Sequence, residues 1–235
     1  MTGLTHANLF SVNAGFIIGD GQTVIVDAGF NVESAMTIYD YAYHMAPENQ
    51  MKYVVNLEGH YDHVFGNGYL KKHGCRIVSH ESVHLTKEEL DEYVTSCNEE
   101  LEIPRRKRNK EGYLYFEGVE PFEPDIKISG RTHLDIAGVD ITIYPAPGHT
   151  SSNMILYEAK EKVVYVADTI YSCFLPTTGF GNPELWQSWL EALDLIESLQ
   201  PEILVPGHGK VLKGDGIALE IERHRKMLRE RLSEN

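Results

Sequence analysis

Residues 51–63 read MKYVVNLEGHYDH, an apolar run that ends in two histidines and two carboxylates. The apolar half predicts a strand over Met51–Leu57, and the polar half predicts a loop directly after it. If the loop is extended, Glu58, His60 and Asp62 share one side of it and His63 points differently. Imidazoles and carboxylates bind divalent metals, and a tight group with two directions suits two neighbouring ions. We expect Glu58 and His60 to serve one ion and Asp62 and His63 the other.

Further polar residues follow other predicted strands, at positions far apart in the sequence. Asp27 follows the hairpin at residues 13–27, His149 lies in PGHT, Asp168 ends VVYVAD, and His208 lies in PGHG. Loops at strand ends are held by a rigid sheet, so such residues can converge on one point. Asp168 has two oxygens and could bridge both ions, while His149 and His208 would complete one coordination sphere each.

The order of predicted elements indicates an α/β protein with two sheets. In the first half, the hairpin is followed by a helix after Asn31, the strand before Glu58, a short helix over Val64–Lys72 and another strand. In the second half, short strands separated by turns run from Ile126 to Asp168 in meander order. A helix, a strand and a closing helix follow. We find no linker, and we predict a single domain over residues 1–235.

Residues 85–124 depart from this regular alternation. An acidic stretch, residues 81–100, predicts a helix, and the following segment contains PRRKRNK and several Pro and Gly residues. We expect an irregular insertion here that acts as a lid or as a contact in a homodimer. The basic run at residues 105–108 could meet an anionic substrate, although a solvated loop explains it equally simply.

Charge and cysteine content narrow the classes of function. The formal net charge of −14 at pH 7 opposes binding to nucleic acid or to anionic membranes, so we expect a small-molecule substrate. The three cysteines are odd in number and widely spaced, which favours a reducing compartment. The first residues show neither a basic, apolar leader nor a membrane span, and we therefore expect a cytoplasmic protein.

Four motifs in order resemble the metallo-β-lactamase superfamily. They are ExHxDH at 58–63, PGHT at 147–150, VADTIY at 166–171 and PGHG at 206–209, and the resemblance covers residues 12–211. It implies a four-layer αββα sandwich with metals at one edge between the sheets, and a core similar to glyoxalase II and the lactonases. In the superfamily, an early aspartate supports the metal loop, and Asp27 matches it. The metal ligands implied for this chain are Glu58, His60, Asp62, His63, His149, Asp168 and His208.

Glu58 departs from the family pattern, which has a histidine at this position. A carboxylate is a harder donor than imidazole and favours iron or manganese more than a histidine would. Three carboxylates and a bridging hydroxide bring the formal charge of two divalent ions to about zero. We expect two divalent ions, with zinc first and iron or manganese as alternatives.

The resemblance implies hydrolysis of a small acyl substrate such as a lactone, a thioester or a related ester. A water that bridges the metals would be the nucleophile, with Asp62 orienting it or accepting its proton. Tyr171 is a weaker candidate for contact with substrate, whereas Phe174, Trp186 and Trp189 are expected in the core. Two alternatives stay open: an iron-dependent oxidoreductase on the same fold, and a non-catalytic metal-binding protein. The long helical region with which glyoxalase II binds glutathione has no counterpart here.

Overall fold

The computed structural model of the protein describes residues 12–100, 115–172 and 174–234, with side chains for all of these except 97–100. These residues form two β-sheets and a set of helices. None of the helices in these ranges is both long and apolar enough to cross a bilayer.

The first sheet has five strands, and the ExHxDH motif directly follows the central one. Its order is β1-β2-β3-β4-β5, and it is parallel except for the β1–β2 hairpin. Parallel strands place their carboxyl ends along one edge of the sheet, which is where the polar loops follow. The strands are β1 (Gly15–Ile18), β2 (Gln22–Val26), β3 (Gln50–Val55), β4 (Arg76–His80) and β5 (Ile126–Ile128).

The second sheet is a meander followed by a parallel crossover. Its order is β11-β10-β9-β8-β7-β6, and only β9 and β10 pair in parallel. The loops after β9 and β10 therefore begin side by side at one edge. The strands are β6 (Thr132–Ile136), β7 (Val139–Pro145), β8 (Met154–Glu158), β9 (Val163–Tyr165), β10 (Ile203–Val205) and β11 (Leu212–Lys213).

Helices cover the outer faces of both sheets. Asn31 caps the first helix by accepting a hydrogen bond from the Ser34 N–H at 2.9 Å, and Asn182 caps the helix that begins at Pro183. The helices are α1 (Val32–Met45), α2 (Tyr61–Val64), α3 (Asn67–Lys72), α4 (Lys87–Glu100), α5 (Pro183–Ser198) and α6 (Asp215–Ser233), with a 3₁₀ turn at Ala167–Thr169.

Alternation along the strands produces three apolar layers. In β2, Val24 and Val26 lie in the core between the sheets, whereas Ile25 packs toward α1 on the other face. In β8, Leu156 lies between the sheets and Ile155 packs toward α5 and α6. Because successive side chains of a strand point to opposite faces, these apolar strands need cover on both sides. The predicted αββα sandwich is confirmed.

Some predicted element boundaries differ from those observed. The helix predicted over Val64–Lys72 is two short helices, α2 and α3, separated at Gly66. The helix predicted from residue 81 begins at Lys87, after a bridge between Leu85 and Phe122. Residues 101–114 of the predicted insertion lie outside the described residues, as does the basic run.

Gly66 provides a test of the junction between the sheet and the site helices. A Cβ atom there would lie 2.1 Å from the Ala28 carbonyl oxygen and 2.7 Å from the Ala35 Cβ. We expect Gly66→Ala to lower the free energy of unfolding by about 1–3 kcal/mol, because overpacking forces the backbone apart. The measurement is urea denaturation.

Gly130→Ala is the matched control, since no atom lies within 4 Å of a Cβ built there. Its denaturation midpoint should stay within about 0.5 kcal/mol of the wild-type value in free energy. Equal midpoints for the Gly66 and Gly130 variants would contradict the close packing at Gly66.

Candidate metal centre

Asp27 connects the first sheet to the metal-binding loop. It follows β2 with a left-handed backbone (φ 59°), and its N–H donates to the Val55 carbonyl at 2.9 Å. One carboxylate oxygen, Oδ1, accepts from the Leu57 N–H at 2.8 Å, and Oδ2 lies 3.0 Å from His63 Nδ1. This contact leaves His63 Nε2 facing the centre of the site, 3.2 Å from Asp168 Oδ1.

The loop after β3 is not extended throughout, which corrects our expectation for the direction of its side chains. His60 is extended, but helix α2 begins at Tyr61 and includes Asp62 and His63. The His63 N–H donates to the His60 carbonyl at 3.0 Å and closes the first turn. Adjacent residues of a helix point about 100° apart, so Asp62 and His63 approach the site from different directions.

The structure brings six of the seven predicted ligands into two groups of three. Within each group, one potential ligand atom per residue lies within 4.8 Å of the others. The first group is His60, His149 and Asp168, and the second is Asp62, His63 and His208. The expected grouping of Asp62 with His63 is kept, whereas His60 is grouped with His149 and Asp168 and not with Glu58. Each group combines residues that follow strands of both sheets.

Asp168 lies between the two groups. Its Oδ1 is 3.2 Å from His63 Nε2 and 3.3 Å from His208 Nε2, and its Oδ2 is 3.5 Å from His149 Nε2. The Tyr171 hydroxyl donates to Oδ2 at 2.8 Å. The two oxygens of one carboxylate therefore face different groups of donors, as a bridging ligand requires.

Glycines bring the histidine loops close to Asp168. A Cβ atom on Gly207 would lie 2.2 Å from Asp168 Oδ1, so the PGHG loop reaches the 3₁₀ turn only with glycine at this position. In the PGHT loop, Gly148 lies against Trp189, where a Cβ atom would approach the indole to 2.6 Å. His149 is oriented by a contact of 3.1 Å between its Nδ1 and the Thr177 carbonyl.

Glu58 is buried beside the first group but belongs to neither set of three. Its Oε1 accepts from the Thr150 hydroxyl at 2.6 Å and lies 3.6 Å from His60 Nδ1. Its Oε2 has no hydrogen-bond partner among the described residues. A buried carboxylate oxygen without a partner is costly. A cation at this point would satisfy it.

Electrostatics divide the histidines into two classes. Burial lowers the pKa of His60 and His149, so these rings stay neutral, the state that binds metal. Burial acts in the same direction on His208, but the charge and hydrogen bond of Asp168 outweigh it and raise the pKa to about 9. Burial and then the nearby Asp168 charge raise the pKa of Glu58 to about 8. In the metal-free protein, His208 and Glu58 therefore hold protons where a metal ion would bind.

The residues present fit a pair of divalent metal ions. Imidazole and carboxylate donors of this kind suit zinc, iron and manganese, and both groups are largely buried. A cavity of about 430 Å³ opens above them. Of the predicted ligands, only Glu58 is absent both from the cavity lining and from the two groups of donors. Asp27 supports His63 and does not join either group.

Several residues at the site were missed or interpreted differently in the sequence. Thr150 is the last residue of the PGHT motif but was given no role of its own, and Phe180 lies in no motif. The Phe180 ring centroid is 4.6 Å from that of His60. Phe174, expected in the core, lines the cavity beside Tyr171. Trp186 and Trp189 are buried as expected. His224 accepts the Tyr171 N–H at 3.1 Å and so holds the backbone of that residue.

The Asp27 contact predicts a specific effect of Asp27→Asn. Asparagine tolerates the left-handed backbone and can still accept from the Leu57 N–H. Its amide N–H would donate to His63 Nδ1 and move the ring proton to Nε2, which then cannot bind metal. We expect metal affinity to fall about 10–100-fold, measured by competition with a chelator.

Asp125→Asn is the matched control for this substitution. The Asp125 carboxylate also accepts a backbone N–H, that of Ile77 at 2.9 Å, but it pairs with Lys71 and takes no part in either donor group. Metal affinity should be unchanged in this variant. Equal losses in both variants would show that the Asp27–His63 contact has no special role.

The pKa shifts predict how stability depends on pH. His208, with a pKa raised from 6.5 to about 9, and Glu58, with a pKa raised to about 8, keep their protons to higher pH when folded than when unfolded. The stability from a raised pKa is present below the unfolded value and is lost as pH rises through the folded value. The melting temperature of the metal-free protein should therefore fall between about pH 6.5 and pH 9.

Zinc-loaded protein should lose less stability over the same range, because zinc replaces those protons and binds more tightly as pH rises. Differential scanning calorimetry of both forms measures the difference, and His208→Gln should flatten the slope of the metal-free form. A metal-free melting temperature that stays constant or rises would contradict the predicted linkage.

Comparison with known proteins agrees with the fold. The family model described as "Metallo-beta-lactamase superfamily" matches residues 7–208. A metallo-β-lactamase family protein from Thermus thermophilus superimposes with a TM-score of 0.70 at 18% identity, covering 95% of this chain and 76% of that chain.

Two curated relatives match over shorter stretches. One, a 2,4-dinitroanisole O-demethylase subunit alpha from Nocardioides sp. (strain JS1661), is 34% identical over 79 residues, or 33% of this chain and 24% of the relative. The other, an uncharacterized protein from Aquifex aeolicus (strain VF5), is 26% identical over 153 residues, or 64% and 61%. The chain thus spans less than two thirds of the length of these relatives. With the family model over residues 7–208, the chain belongs to the metallo-β-lactamase superfamily, whose members are largely metal-dependent hydrolases.

Proposed function

We propose that the protein is a metal-dependent hydrolase of a small acyl substrate, such as a lactone, a thioester or a related ester. The observation that carries this proposal is the pair of donor groups with Asp168 between them, at the floor of a cavity of about 430 Å³. This volume lies within the range of about 300–1,000 Å³ that is usual for small-molecule sites.

The donors divide naturally between two ions. His60, His149 and Asp168 Oδ2 would hold one ion, and Asp62, His63, His208 and Asp168 Oδ1 would hold the other. Glu58 would complete the first group through its unpartnered Oε2, while Thr150 holds the other oxygen of the carboxylate. Zinc is the metal we propose first. Direct binding of the metal by the Glu58 carboxylate would favour iron or manganese, because a carboxylate is a harder donor than imidazole.

When bound, the ions would supply Lewis acidity toward the acyl carbonyl and would lower the pKa of a water molecule. The side chains of the protein then have separate tasks. Asp62 lines the cavity with its carboxylate 3.4 Å from His208 Nε2, which places it to orient the attacking water and accept a proton. The Tyr171 hydroxyl also lines the cavity, bonded to Asp168, and is placed to contact the substrate oxygen.

Glu58 supports a second candidate, an iron-dependent oxidoreductase. Its buried, unpartnered carboxylate oxygen is a hard donor that suits iron better than the histidine of the family pattern would. A third candidate, a non-catalytic metal-binding protein, has the same donors but no turnover. The identity of the bound metal separates the first two candidates before any substrate is known, and the absence of turnover identifies the third.

Metal analysis and an acyl-substrate panel test the proposal together. We expect about two zinc ions per chain, loss of ester or lactone hydrolysis when a chelator removes them, and recovery when zinc is added back. His208→Ala should lower the metal content to about one ion and kcat at least about 100-fold. The name of the Nocardioides relative adds 2,4-dinitroanisole to the panel.

His133→Ala is the control variant, since His133 is exposed on β6 and pairs with Asp140. Its metal content and activity should equal those of the wild type. Redox-active iron together with oxidation of substrate would favour the second candidate. Retention of both metal ions by His208→Ala would contradict the assignment of His208 as a ligand.

A further inference from the structure

Apolar side chains flank the donor groups on two sides of the cavity. Phe180 lies on the side of the first group, with its ring centroid 4.6 Å from that of His60 and 5.3 Å from that of His149. On the opposite side, the Phe174 ring is 5.1 Å from Tyr171. Leu175 also lines the cavity. A substrate bond held over the metals would thus have an apolar surface at each end.

The Phe180 side chain is exposed to solvent, unlike that of a core residue. Its side chain is 61% exposed, and Leu175 is 39% exposed. A single exposed apolar residue is ordinary, but these two line the same cavity as the donor groups. Burial of Phe180 by a substrate would recover the hydrophobic stabilisation that the free protein lacks.

The loop that carries Phe180 is held in place at several points. The Gly181 N–H donates to the Thr178 carbonyl at 3.2 Å, and the Trp186 indole N–H donates to the same oxygen at 3.2 Å. The preceding carbonyl, that of Thr177, contacts His149 Nδ1. The aromatic wall is therefore fixed to both the metal-binding histidine and α5, and a ligand that packs on it finds a surface already ordered.

The charges that line the cavity do not favour an anion. The described residues that line it include the carboxylates Asp62 and Asp168 but neither lysine nor arginine. Together with Glu58, these carboxylates would neutralise most of the charge of two divalent ions. A carboxylate or phosphate on the substrate would lose its hydration here with no cationic side chain among these residues to receive it.

We propose that this site takes an uncharged ester or lactone that carries an apolar aryl or short alkyl group, and that Phe180 is the residue that selects for this group. The inference rests on the proposed function, whose substrate class it narrows. It predicts that kcat/KM depends on the charge and on the apolar area of the substrate group that lies beside Phe180.

A pair of esters that differ in one group tests the charge preference. 4-Nitrophenyl butyrate and mono-4-nitrophenyl succinate have the same acyl chain length, but the second ends in a carboxylate. For the zinc-loaded protein, we expect kcat/KM to be at least about 10-fold higher for the butyrate, since the described residues that line the cavity offer the succinate carboxylate neither lysine nor arginine. Phe180→Ala should lower kcat/KM for the butyrate about 10-fold, mainly through KM, and Phe180→Leu should restore part of the loss.

Binding of the matched anilides separates this inference from the proposed function. 4′-Nitrobutyranilide and 4′-nitrosuccinanilic acid resist hydrolysis, and equilibrium dialysis measures their affinity for zinc-loaded and metal-free protein. We expect the neutral anilide to bind at least about 10-fold more tightly, and Phe180→Ala to weaken it about 5–10-fold. Leu219→Ala is the control, because Leu219 is 71% exposed on α6 and lies outside this cavity; it should bind both anilides as the wild type does.

Each result bears on only one of the two proposals. If the neutral anilide binds through Phe180 but no ester is hydrolysed, the hydrolase proposal fails and the selectivity of the cavity stands. Selectivity is overturned if the esters are hydrolysed at equal rates, if the succinate is preferred, or if Phe180→Ala and Leu219→Ala behave alike. If neither anilide binds, the proposed selectivity of the cavity is overturned as well.

Discussion

The contact between Asp168 and His63, continued from His63 to Asp27, is the interaction on which the rest of the site depends. All three side chains are buried, and burying charged groups is costly unless they are paired. Burial would raise the pKa of Asp168, but the His63 and His208 charges outweigh it and hold that pKa well below its usual range. The network joins the edge of the first sheet, through Asp27, to the second sheet, through Asp168. Metal binding would replace the proton on His63 Nε2, while the contact between His63 Nδ1 and Asp27 would remain.

The convergence of the candidate donors could be predicted because they follow the most regular part of the structure. His149, Asp168 and His208 follow strands of the second sheet, and a sheet fixes where its loops begin. The apolar runs predicted the strands, and the family resemblance implied the layered sandwich that they form. The glycines of PGHG and PGHT were visible as parts of motifs. Their physical reason, the close approach of Gly207 to Asp168 and of Gly148 to Trp189, required coordinates.

Other features depended on contacts between distant residues and could not be predicted from local pattern. The short helix at Tyr61 turned Asp62 and His63 away from the line of Glu58 and His60, and a four-residue helix leaves too weak a periodicity to detect. The pairing of Glu58 with Thr150 joins positions 92 residues apart. Phe180 has no motif at all. Its role arises from a loop whose course is set by Trp186 and His149.

The structure therefore separates the candidate metal donors from the apolar residues that line the cavity. The donors are fixed by strand ends and by Asp27, whereas the apolar walls belong to the loop between the 3₁₀ turn and α5. None of Phe174, Leu175 and Phe180 contributes a ligand atom to either group of donors. Members of one superfamily can in this way keep a common metal centre while their substrates differ. In this chain, the loop is itself tied to His149 through the Thr177 carbonyl, so a substrate that displaces Phe180 would also move a metal ligand. Substrate selection and metal geometry are coupled at that one contact.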